Sequence, residues 1–117
     1  MAGVLGEQMK ILAVAVKGEV NEESGQLLVK ELVEAIGMTI ATEQLLCRYP
    51  VDGKGGFGYT FFQPLTESFI AFDSWLDLCG AYLIICSCKP FPLSTTLKVI
   101  DRHKLEVTQY RQVGLKI

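Results

Sequence analysis

The side chains with most chemistry to offer lie between Glu67 and Cys88. Glu67 and Ser68 set a carboxylate beside a hydroxyl, Asp73 places a second carboxylate among Phe69, Phe72 and Trp75, and Cys88 supplies a thiol. A serine or cysteine becomes a nucleophile only when a base or a lowered pKa activates it, so each also has a plain structural role to weigh. Glu67-Ser68 serves as a polar entry to a strand. Tyr82, Ile84, Cys86 and Cys88 alternate onto one face of the strand that follows, and small thiols are frequent core residues, which is the role expected of Cys86. Asp73 must face solvent or hold a partner, because burying an unpaired carboxylate is costly.

Metal and phosphate chemistry are weakly signalled. Cys86-x-Cys88 has no second pair at ligand spacing, and a structural zinc site needs four ligands, so no metal is expected. His103, the single histidine, stands between Arg102 and Lys104 and reads as an exposed residue near a helix end, neither ligand nor base. The run Asp52-Gly53-Lys54-Gly55-Gly56 lacks the Gly-Lys-Ser/Thr ending of a phosphate loop and lies between strands, so a hairpin or lid is the expectation for 52–58.

These residues need a frame. A chain of 117 residues, half of them hydrophobic, with a mean hydropathy of +0.31 and 21% charged residues, is long enough for one compact core and too apolar for disorder. The apolar surplus points to a buried sheet or an oligomer interface. A net charge of −2 lacks the basic footprint of nucleic-acid binding. Ile11 to Val16, bounded by Lys10 and Lys17, is too short to cross a membrane. No export signal is legible, so a cytoplasmic setting and reduced thiols at Cys47, Cys79, Cys86 and Cys88 are expected.

Residues 1–8 carry no period and read as a flexible extension before one domain over 9–117. Met9 to Val16 suits a central strand covered on both faces. Asn21 can cap a helix whose first turn holds Glu22 and Glu23, whose stripe is Leu28, Leu32, Ala35 and Ile36, and whose stop is Gly37. Met38 to Arg48 reads as the second strand. Gly58 to Leu65, Glu67 to Trp75 and Ala81 to Cys88 read as three more, the last two joined tightly through Leu76 to Gly80. Ser94 can cap a short helix running through Arg102, and Leu105 to Val113 alternates as a closing strand. The order β-α-β-β-β-β-α-β predicts an α+β two-layer sandwich, with two helices on one face of a mainly antiparallel sheet.

The stretch Thr66-Glu67-Ser68-Phe69-Ile70-Ala71-Phe72-Asp73-Ser74-Trp75-Leu76-Asp77, followed by Leu83 to Cys88, resembles the small prokaryotic S-adenosylmethionine decarboxylases. In that family a strand opens with Glu-Ser-His, continues through Ile-His-Thr-Trp-Pro-Glu, and the next strand ends in Phe-Thr-Cys-Gly. Glu67, Ser68, Trp75, Asp77 and Cys88 fall in step with it without a gap, and Arg48-Tyr49 resembles the family's Arg-Phe segment. The resemblance spans roughly Met9 to Arg111 and rests on Glu67 to Cys88.

The resemblance implies roles. Ser68 would attack the carbonyl of Glu67 and become the pyruvoyl group, an electron sink for decarboxylation. Cys88 would be the proton donor, and Tyr49 would stack on adenine. Trp75 joins Tyr49 as a ligand-binding candidate, while Glu67, Ser68, Asp73 and Cys88 form the catalytic set of an active enzyme. The family's dimers build their sites from both protomers, which implies a homo-oligomer, a dimer foremost.

Four positions depart from the pattern. The histidine after the serine is Phe69, the second histidine is Asp73, the proline is Leu76, and the glycine after the cysteine is Lys89. An aspartate is ordinarily an anion at neutral pH and a poor proton donor, whereas imidazole titrates near about 6.5. The expectation is therefore a divergent relative that is not self-processed, carries no cofactor, and acts as a small-molecule-binding or interaction module. An active pyruvoyl-dependent enzyme and a ligand-free structural oligomer are the alternatives.

Overall fold

In a computed structural model of the chain, residues 8–50 and 57–117 are described. The expected extension, apart from Gln8, and the centre of the glycine-rich loop lie outside the described residues. The elements are β1 (Met9–Lys17), α1 (Glu22–Ala35), β2 (Leu45–Pro50), β3 (Phe57–Leu65), β4 (Ser68–Trp75), a 3-10 turn (Leu76–Leu78), β5 (Gly80–Ser87), α2 (Leu93–Arg102) and β6 (Glu106–Leu115). They form one six-stranded sheet in the order β2-β3-β4-β5-β1-β6, with every neighbouring pair antiparallel. Both helices lie on one face, so the α+β sandwich and its element order are as the sequence predicts.

Alternation along the strands builds the core. Leu12, Val14 and Val16 of β1, Tyr59, Phe61 and Leu65 of β3, Ile70 and Phe72 of β4, and Leu83 and Ile85 of β5 point toward the helices and are buried. Leu28, Leu32 and Val29 of α1 and Val99 and Ile100 of α2 close over them. Phe61 and Phe72 stack with centroids 4.9 Å apart, and a Cβ on Gly25 would stand 3.3 Å from the Phe61 ring, so the helix approaches this pair through its glycine. Asn21 caps α1 as expected: its Oδ1 accepts from the Ser24 amide at 2.8 Å, while the Ser24 hydroxyl accepts from the Asn21 amide at 2.9 Å. Such a cap stabilises by about 1 kcal/mol.

Four expectations are corrected. β1 is an interior strand but lies beside the β6 edge rather than at the centre, and it is covered on one face only, with Ile11, Ala13 and Ala15 half-buried on the other. Met38 to Arg48 is not one strand: Gly37 turns the chain at φ +69°, Ile40 makes an isolated bridge to Leu65, and β2 begins only at Leu45. The hydrogen-bonding edge of β3 is occupied from Phe57 to Phe62 by β2, which leaves the preceding residues little edge to join. Helix α2 starts at Leu93 rather than being capped by Ser94; Thr96, fully buried, instead donates its hydroxyl to the Pro92 carbonyl at 3.0 Å. His103 is not an exposed bystander, because its Nε2 lies 2.7 Å from Glu31 Oε2 and ties α2 to α1.

The face away from the helices is open. It carries Leu45, Phe62, Trp75, Tyr82, Ile84 and Val113, all large and exposed, where a solvated antiparallel face would ordinarily alternate to polar residues. Among the described residues no helix is long and apolar enough to cross a membrane.

Candidate functional site

Strand β4 carries the candidate residues at its two ends, and the ends differ. Ser68 opens the strand and Trp75 closes it. At about 3.3 Å per residue, Ser68 and Asp73 stand about 17 Å apart along the strand, and their odd separation sends them to opposite faces.

At the Ser68 end, the Cys88 amide donates to the Glu67 carbonyl at 3.0 Å, and Ser68 pairs with Ser87 across β4 and β5. Glu67 sits in the turn before the strand. Its Oε1 accepts from the Thr39 amide at 3.0 Å, and that bond, aided by the Thr66 side chain and the Lys89 charge, holds the carboxyl below the ordinary carboxylate range. Ser68 adopts φ +155°, a region populated almost only by glycine, which costs of order 1–3 kcal/mol in a residue with a side chain. The junction between Glu67 and Ser68 is therefore strained, and its carbonyl oxygen already has one amide donor where negative charge would gather on attack by a hydroxyl. An imidazole is missing from this end: His103 is engaged with Glu31, and Asp73 belongs to the other end. The residues present thus fit only part of what forming a pyruvoyl group requires.

The Asp73 end is built from four strands. Thr60 of β3 sits directly opposite Asp73, and its hydroxyl donates to Oδ1 at 2.6 Å. Trp75, two residues on and on the same face, donates its indole N–H to Oδ2 at 3.0 Å. Tyr49 of β2 donates its hydroxyl to Oδ1 at 3.3 Å, reaching across β3. Gly58 permits that reach: it faces Tyr49 in register, and a Cβ there would come within 2.5 Å of the Tyr49 ring. On the far side Tyr82 pairs with Asp73, and its ring meets Trp75 edge to face at 5.8 Å. Asp73, Tyr49 and Trp75 therefore meet in one cluster, while Glu67, Ser68 and Cys88 gather elsewhere.

Thr60 and Tyr82 complete the Asp73 cluster and were not legible as site residues, since only strand register brings them there. Cys86, expected in the core, is buried, but it lies on the open face in register with Phe69 and Ile11. The four cysteines are free thiols. Among the described residues no group of His, Cys, Asp and Glu could hold a metal ion.

No protein-family model matches the chain, and no curated protein matches it. Among solved structures, the adenosylmethionine decarboxylase from Aquifex aeolicus VF5 is similar, with a TM-score of 0.56 and 15% identity over 92% of this chain and 89% of that one. At that identity the likeness shows a shared fold, the one that the spacing from Glu67 to Cys88 resembles.

Proposed function

We propose that the chain is a divergent, unprocessed relative of the S-adenosylmethionine decarboxylases that binds a small S-adenosylmethionine-like molecule on the open face of its sheet, in the cytoplasm. The observation that carries this is the convergence of Tyr49 and Trp75 on Asp73, which places two exposed aromatic rings and a fixed carboxylate in one spot. Rings presented this way suit a planar ligand. Loss of processing is supported by the Ser68 end, where the strained bond has an amide donor but no imidazole to move a proton.

Thermal-shift titration with S-adenosylmethionine and adenine nucleosides, combined with intact-mass measurement, tests the reading. Saturable stabilisation of one unbroken chain is expected. Fragments split between Glu67 and Ser68 would overturn the unprocessed reading in favour of an active pyruvoyl enzyme, which the strain at Ser68 and the Cys88 amide on Glu67 favour. An absence of stabilisation by every adenosine compound would favour a ligand-free structural role.

The same reading includes a homodimer through the open face. The exposed Ile84 and Val113, on the same face as the Asp73 cluster but not among its residues, supply an apolar surface for a second copy that leaves the cluster open. Sedimentation of the chain should give the mass of a dimer; a monomer across micromolar concentrations would remove this part.

A further inference from the structure

We infer that the Asp73 cluster seats a quaternary ammonium group, held by the carboxylate and walled by the rings of Tyr49, Trp75 and Tyr82. The inference rests on reading that cluster as the ligand seat, and it adds the charge and class of what sits there. A carboxylate offers about four lone-pair positions. Three are engaged here, by Tyr49, Thr60 and Trp75, and all three donors are neutral, so they aim the anion without cancelling its charge. The ion pairs Arg48–Glu22 and His103–Glu31 do not involve Asp73.

A cation that carries no N–H matches this arrangement, because it needs charge and ring faces rather than further acceptor positions. Tyr49, Trp75 and Tyr82 are each more than one-third exposed, so their rings are open to a ligand. Aromatic faces attract quaternary ammonium groups through the ring quadrupole, most strongly for tryptophan. Beside Tyr82 a hollow of about 220 Å³ opens between Trp75, Gly80 and Ala15, with room for a short alkyl arm. Lys17 lines the same hollow and opposes a second positive charge there, so the ligand is a monocation with a neutral or anionic tail.

Trp75 is the single tryptophan, and its fluorescence reports on this cluster alone. Choline is titrated into the full-length protein, with 3,3-dimethyl-1-butanol as the neutral isostere and sodium chloride as the ionic-strength blank. Saturable change with choline, and at least tenfold weaker response to the isostere, is expected. Asp73→Asn should weaken choline at least tenfold, and Tyr82→Leu, which leaves all three hydrogen bonds to Asp73 in place, severalfold. Equal response to the isostere or the salt overturns the inference, as does choline binding unmoved by Asp73→Asn in a variant with unchanged circular dichroism. Should Asp73→Asn fail to fold, the isostere and Tyr82→Leu decide. Binding of S-adenosylmethionine without choline sinks this inference and leaves the proposed function standing; choline binding without any adenosine compound does the reverse.

Discussion

The two faces of the sheet are made from the same strands and behave as different materials. Toward the helices, Phe61, Phe72, Ile70, Leu83 and Ile85 interlock into a dry core in which side chains have no alternative neighbours. Away from them, Phe62, Trp75, Tyr82 and Ile84 stand exposed around a hydrogen-bonded carboxylate. One face spends its apolar area on stability and the other holds it in reserve, which is how a small sandwich can carry a binding surface without loosening its core.

The largest test of that contrast is a pair of truncations. Phe72→Ala should cost about 4 kcal/mol by urea denaturation, through lost burial and the cavity left between Phe61 and Tyr59. Ile84→Ala, on the exposed face of the neighbouring strand, should cost less than about 1 kcal/mol in a dilute monomer. Equal costs would mean that the open face is covered in solution, and the gap between the two variants should then widen on dilution.

Gly58→Ala probes the open face alone. The added methyl meets the Tyr49 ring and moves it off Asp73, so affinity for the ligand should fall about tenfold, close to 1.4 kcal/mol, with little change in the urea midpoint. A large loss of stability would show instead that Tyr49 belongs to the packed structure.

Ser68→Gly addresses the strained end of β4. Relief of the φ +155° conformation, less the added chain entropy of glycine, should raise stability by about 1 kcal/mol. Destabilisation would indicate that the Ser68 side chain makes a contact worth more than the strain.

The smallest effect is on the acid limb. Glu67 has a folded pKa below its unfolded value, so its contribution is complete above the unfolded value and is lost as pH falls through the folded one. Glu22, lowered by its bond to Arg48, acts in the same direction. Stability measured from neutral pH down through the carboxylate range should decline less steeply in Glu67→Gln than in the wild type; coincident curves would remove the Thr39 bond as a cause.

Legibility differed between elements for physical reasons. Asn21, the buried Leu28, Leu32 and Ile36 of the α1 stripe and the run from Ser68 to Trp75 were readable because capping and alternation are local properties of neighbouring residues, whereas Ala35, expected in that stripe, is exposed and Val29 and Val33 are buried in its place. The start of β2 was not, since Thr39, Ile40 and Thr42 are β-branched as in a strand and the available edge of β3 decides where pairing begins. His103 likewise gave no sign of Glu31, which is 72 positions away along the chain.

For the candidate site the division is sharper. Residue types and their spacing from Glu67 to Cys88 determined the family resemblance and its departures at Phe69 and Asp73, while periodicity and caps along the whole chain determined the α+β order of elements. Only the tertiary structure decided that Ser68 and Asp73 lie at different ends and on different faces of one strand, and that Asp73 is met by hydroxyls from β2 and β3. Spacing within a strand fixes parity and distance along the chain, but the partners of a strand residue come from register with neighbouring strands, and register is set by the packing of the whole sheet.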